Sequence, residues 1–250
     1  MIRFRRVFDP TTGADERRFT QIREIFDRAF PAEREAADRI EAHLRQSPGA
    51  GAEFIVLVAE DEQGHLLGFA ATYFFPAVRL AYLFYIASDP NRASRGIGGA
   101  VYEAMRELLI ARGAKGLFLD AGPDDPALLK DRAGLPQNRQ RLRFYERYGA
   151  FPVVGTLYEQ VGNPANDGYR VFLLFDSLGR RKSVRRADAR KFLQSMFKVQ
   201  YGQAASDPYV RQIVNSFHDD PVKLRPARYL KTEPPAAPRT KLPRLRPLAL

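Results

Sequence analysis

The stretch that decides the architecture is Leu80-Ala81-Tyr82-Leu83-Phe84-Tyr85-Ile86-Ala87-Ser88, which ends at Asp89-Pro90-Asn91 and leads through Arg95-Gly96-Ile97-Gly98-Gly99-Ala100 into a long apolar-periodic segment. The first run is rich in Tyr, Phe and Ile and reads as a strand. Helical spacing takes over from about Ile97 to Arg112, and Gly113 stands where a helix C-cap belongs. Glycines between a strand and a helix let backbone N–H groups face outward, and the helix N-terminus adds partial positive charge. Together they make an anion site suited to a pyrophosphate. Two other phosphate loops fail here. No G-x-x-x-x-G-K-S/T run exists, and a Rossmann fingerprint would need Gly or Ala where Val101 stands.

Working outward, Ile2 to Phe8 alternates apolar and basic residues and predicts a strand. Glu16 to Phe30 and Ala32 to Arg45 carry apolar residues at helical spacing, parted by Pro31. Glu53 to Glu60 and Leu66 to Phe75 flank Asp61-Glu62-Gln63-Gly64 and predict an antiparallel hairpin. Downstream, Gly116 to Ala121 is a short apolar strand, followed by a loop to Pro136 long enough to line a binding site. A basic helix from Asn138 to Tyr148 and strands Phe151 to Gln160 and Tyr169 to Asp176 complete the frame. Past Gly179 the composition shifts. Ser183 is the predicted cap of an Arg-rich helix reaching Tyr201, with Phe192 and Phe197 as a stripe that packs on the main domain, and Asp207-Pro208 starts another helix to Phe217. Beyond Asp220, Pro, Lys and Arg crowd the chain, predicting an extended linker or tail. The expected organisation is a main domain over 1–178, a basic helical extension over 179–220 and a tail over 221–250.

Composition narrows the chemistry. The 250 residues contain no cysteine and three scattered histidines, which excludes disulfides and a Cys nucleophile and leaves no metal-ligand spacing. No apolar run approaches the roughly 20 residues that span a bilayer, and the N-terminus lacks a secretory h-region, so a cytoplasmic setting is expected. A net charge of +11 favours anionic partners, which include the phosphates of a nucleotide cofactor. A nucleic-acid-binding module would share that charge, but no recognition helix or RNA-binding motif accompanies it.

On the residues from Arg95 to Ala100, the chain resembles the GNAT family of N-acetyltransferases, whose pattern there is Arg/Gln-x-x-Gly-x-Gly/Ala. The first family position falls on Ala93, with Arg92 one residue early. A second segment, from Asn138 through Phe144-Tyr145-Glu146 to Tyr148-Gly149-Ala150-Phe151, is similar to the family's later motif, with Ala150 splitting the usual Gly-Phe. The resemblance spans about residues 1–178. It implies a mixed α/β (α+β) fold with a mostly antiparallel sheet and helices on both faces, here extended by C-terminal helices. It further implies acetyl-CoA as acetyl donor, and an amine acceptor such as a protein lysine or a polyamine-like molecule. The pantetheine would lie between two splayed strands, Leu83–Ser88 and Leu117–Asp120, against Ile86 and Ser88. Arg95, Gly96, Ile97, Gly98 and Gly99 would hold the diphosphate, Asn138 would contact the cofactor, and Tyr145 would protonate the leaving thiolate.

Acetyl transfer to an amine needs a neutral nucleophile, a stabilised oxyanion and a protonated leaving group. Without cysteine, direct attack in a ternary complex is the simplest route. The strand before the glycine loop offers no carboxylate, so Asp120 is the candidate general base; Asp124, Asp125 and Glu33 are further acids able to attract a cationic amine. That missing strand carboxylate also fits a weakly catalytic sensor or docking module. Finally, Ser216-Phe217-His218-Asp219-Asp220-Pro221 with the proline-rich segment resembles the N-terminal part of a bacterial acetyltransferase–deacetylase fusion, which implies a tail linked to a further domain.

Overall fold

A computed structural model describes residues 1–230 apart from 32, 34, 47, 93–95, 161, 165–169 and 181. Arg95, Ala93, Tyr169 and the Pro- and Arg-rich run from 231 onward therefore lie outside the described residues. Seven strands form one sheet: β1 (Arg3–Val7), β2 (Glu53–Glu60), β3 (Leu66–Phe75), β4 (Leu80–Ser88), β5 (Gly116–Ala121), β6 (Ala150–Pro152) and β7 (Phe172–Asp176), in the order β1-β2-β3-β4-β5-β7-β6. Neighbours are antiparallel except β4 and β5, which run parallel through the crossover helix α3 (Ile97–Ala111).

Both faces are covered, which is why β2 and β3 are almost wholly buried rather than alternating. On one face α3 and α4 (Leu135–Glu146) cover Ile55, Leu57, Ala70, Phe74, Leu117 and Leu119. On the other, α1 (Gly13–Ala29) and α2 (Glu35–Arg45) cover Val56, Val58, Phe69 and Ala71. Beside them on that same face sit α5 (Arg186–Tyr201) and α6 (Pro208–Asn215). The rings of Phe118 and Phe192 stack at 4.5 Å, so the basic extension shares its core with the sheet.

Three expectations need correction. The predicted strand Phe151 to Gln160 is cut to a three-residue strand, Ala150–Pro152, and Gly155 at φ +76° turns the chain shortly after it. Ser183 does not cap α5; its hydroxyl donates to the carbonyl of Val222, and Arg185 holds the N-cap position. The first ten residues of the predicted tail are docked, not extended free. Val222 is buried, Val153 bridges Leu224, and the amide of Arg225 donates to Pro152 at 2.8 Å, so residues 223–225 cover the open edge at β6. Asp207 does cap α6, accepting from the amides of Tyr209 and Val210.

Candidate active site

β4 and β5 pair only from Leu80–Gly116 to Leu83–Leu119. Beyond that point β4 stays bonded to β3 through Ser88, while β5 stays bonded to β7 through Ala121. The two strands have parted, leaving one backbone edge of Phe84–Ser88 without a neighbouring strand among the described residues. A bulge marks the start of the divergence. Tyr85 pairs with Ala71 but Leu83 pairs with Thr72, so Phe84 is the extra residue. Phe84, Tyr85, Ile86 and Ser88 all keep partial exposure at the middle of a seven-stranded sheet, where strands are otherwise sealed.

The glycine loop opens at the same end of the sheet. Gly96 has φ +100°, a conformation that side chains resist, and begins α3. The first intrahelical bond runs from the amide of Ala100 to Gly96, so the amides of Ile97, Gly98 and Gly99 head the helix unpaired by it. A Cβ on Gly98 would meet nothing within 4 Å, whereas one on Gly99 would strike the Tyr148 hydroxyl at 2.6 Å. Gly98 thus fronts open space and Gly99 allows α3 to approach α4. Exposed Arg92 turns back to Asp89, whose carboxylate also receives Arg28 at 3.2 Å.

Asp120 and Tyr145 flank the gap from opposite faces. Leu117, Leu119 and Ala121 of β5 point to the α3/α4 side, where Tyr145 lies packed 5.5 Å from the ring of Tyr102. Burial pushes the Tyr145 hydroxyl up to about 12, which keeps it protonated at neutral pH. It has no hydrogen-bond partner among the described residues. Asp120 alternates to the other side, where it accepts from Tyr82 at 3.0 Å and from Tyr158 at 3.0 Å. Desolvation raises its carboxyl to about 6 against the opposing effect of the two tyrosine donors. A group lying in the gap between the strands is open to an acid from one face and to a base from the other.

The remaining candidates separate. Asn138 is buried and donates to the carbonyl of Pro123 at 3.0 Å, and a Cβ on Gly122 would collide with it. It pins the β5–α4 loop and also lines a cavity of about 500 Å3 with Lys130 and Arg170. Asp124 is closed off: it receives Arg225 at 2.8 Å, Arg228 at 3.0 Å and the Tyr229 hydroxyl. Asp125 caps a short turn through the amide of Ala127. Asp124 is therefore committed to this docked segment, while Asp125 stays exposed. Glu33 accepts from Tyr85 at the rim of the gap. Among the described residues no group of three metal-ligating side chains is assembled. Tyr158 was invisible to sequence reasoning, since it sits 38 positions from Asp120 in a segment whose pattern suggests a strand.

A model of the acetyltransferase (GNAT) family matches residues 19–150, just over half of the chain. A GNAT-family structure from Desulfovibrio desulfuricans matches with a TM-score of 0.52 and 20% identity, covering 71% of this chain and 99% of that one. The catalytic domain of the Tetrahymena GCN5 histone acetyltransferase, solved with coenzyme A, matches with a TM-score of 0.50 and 12% identity over 73% and 96%. At such identities these likenesses concern the fold. No curated protein matches the chain in sequence.

Proposed function

The chain belongs to the acetyltransferase (GNAT) family, and from that premise we propose that it moves acetyl from acetyl-CoA to a primary amine by direct attack in a ternary complex. The observation that carries this reading is the parting of β4 from β5 with Asp120 on one face and Tyr145 on the other. The residues fit the donor: open space in front of Gly98, amides at the head of α3 that no described residue accepts from and a β4 edge with no described strand beside it suit a diphosphate and an amide-bearing arm.

Bound acetyl-CoA supplies an acyl group activated as a thioester. The Asp120 carboxylate takes a proton from the incoming ammonium, either directly or through one water, and so frees the nitrogen lone pair. Backbone amides on the open edge of β4, near Ile86 and Ser88, donate to the carbonyl oxygen as negative charge develops there. The Tyr145 hydroxyl gives its proton to the departing sulfur. A nitrogen–carbon bond forms and a carbon–sulfur bond breaks; the nitrogen then sheds its second proton to water, which restores the Tyr145 hydroxyl, and Asp120 returns its own proton to solvent, so one proton is released per turnover.

Calorimetric titration of the full chain with acetyl-CoA, with CoA and ATP as controls, tests the first half of this reading. Saturable binding that ATP does not reproduce is expected. Absence of binding on folded protein overturns it. Thiol release on adding amines tests the second half; binding without release under any amine would make the chain a sensor of the cofactor.

A further inference from the structure

The surroundings of Asp120 are more elaborate than a proton acceptor requires. Tyr82 and Tyr158 both donate to it, and the Tyr158 ring lies 6.2 Å from Phe197 of α5. Phe197 in turn carries Tyr201 at 6.1 Å and Tyr209 of α6 at 5.8 Å. On the α2 side, Tyr73 stands 5.3 Å from Phe84, which meets Tyr85 at 4.4 Å. Rings therefore run as a wall across the opened part of the sheet, and Phe84, Tyr85, Tyr201 and Tyr209 keep part of their surface exposed. Burial first, and then the charge of Asp120, raises the hydroxyls of Tyr201 and Tyr209.

Charge is sparse and of both signs. Asp120 keeps part of its surface exposed beside the Tyr82 and Tyr158 hydroxyls. Arg39 sits on the rim, its guanidinium 4.8 Å over the Phe84 ring and donating to the Gln200 carbonyl at 3.0 Å. Tyr201 is within reach of both charges, raised by Asp120 and lowered by Arg39 after the larger effect of burial. Glu33 is engaged by Tyr85 at the outer edge.

We propose that α5 and α6 complete the acceptor pocket, with Tyr201 and Tyr209 as specificity residues, and that the pocket takes a small amine with one positive charge on a flat aromatic or short apolar body. One ammonium pairs with Asp120 while its body lies against ring faces. A second ammonium on the same molecule meets Arg39 on the rim, where the Glu33 carboxylate is already engaged by the Tyr85 hydroxyl, so polyamines are disfavoured. A lysine in a peptide brings a polar backbone to an aromatic mouth that offers it little. This inference rests on Asp120 as the general base.

The test is thiol release by the full chain at saturating acetyl-CoA, comparing 2-phenylethylamine, spermidine and a lysine-containing peptide. A kcat/KM for 2-phenylethylamine at least about tenfold above the other two is expected. Tyr201→Leu and Tyr209→Leu should raise its KM several-fold while kcat and acetyl-CoA affinity hold, and Arg39→Gln should narrow the gap to spermidine. A preference for spermidine or the peptide, or unchanged KM in both tyrosine variants, overturns the proposal. Asp120→Asn separates the two readings. If it abolishes turnover of every amine while the wild-type ranking is the reverse of that expected, only the pocket assignment fails; if it leaves turnover intact, the base assignment fails.

Discussion

Asp120 is raised to about 6 by burial, above the ordinary carboxylate value of about 4. Two consequences of opposite sense follow. Turnover needs the ionised form, so the wild-type rate should climb as pH rises through about 6. Stability moves the other way. Between about pH 4 and 6 the folded state binds this proton more strongly than the unfolded chain, so the group favours folding at low pH and that contribution is lost as pH rises through 6. Asp120→Asn should therefore lower kcat about 100-fold or more yet melt no lower than wild type at pH 8, which rate assays and thermal melts check directly. Tyr145→Phe should lower kcat by about 100-fold with acetyl-CoA affinity nearly intact, since the ring and not the hydroxyl packs against Tyr102. Equal activity in that variant would remove Tyr145 from proton transfer.

Among the elements, the crossover β4–α3 carries the most testable point. A Cβ on Gly98 meets only open space, so Gly98→Val should fold and melt like wild type but lose acetyl-CoA binding in calorimetry. Unchanged affinity would mean that the diphosphate lies elsewhere. This crossover was legible in sequence because its residues act locally: a β-rich run, a glycine loop and a helical period follow each other without help from distant contacts. The strands Glu53–Glu60, Leu66–Phe75, Leu80–Ser88 and Gly116–Ala121 match their patterns for the same reason. Segment 151–160 was not legible. Its apolar residues suit a strand, but Gly155 turns it and Tyr158 is drawn to Asp120 across the sheet. Nor could sequence reveal that Asp124 is consumed by arginines 101 and more positions away, because long-range ion pairing leaves no local period.

For the whole molecule, the C-terminal segments are part of the structure that holds the site. Asp176 is fully buried, accepts from Arg106 at 2.8 Å and Tyr102 at 2.9 Å, and ties β7 to α3. Phe118 and Phe175 on the opposite face are covered by Phe192 of α5. A chain stopped after residue 178 would open that face to water and should show no cooperative unfolding. A chain stopped after residue 221 keeps α5 and α6 but strands Asp124 and Glu146 without their partners. Leaving a buried charge unpaired costs about 3–5 kcal/mol, so its Tm should fall by at least about 6 °C in calorimetry. An unaltered Tm would show that the docked segment contributes nothing.

The segment just before residue 231 also bears on the order in which the molecule becomes complete. Glu146, the neighbour of Tyr145 in α4, accepts from three successive amides, those of Arg228, Tyr229 and Leu230. Synthesis proceeds from the N-terminus, so a nascent polypeptide emerging from the ribosome contains every strand and both candidate catalytic groups well before these donors exist. Until residue 230 has cleared the exit tunnel, the carboxylate beside Tyr145 lacks these three amide donors and must be satisfied by water. The last described stretch to be made therefore brings the donors that hold the end of the acid helix, so the contacts beside Tyr145 become complete only once this strap has emerged.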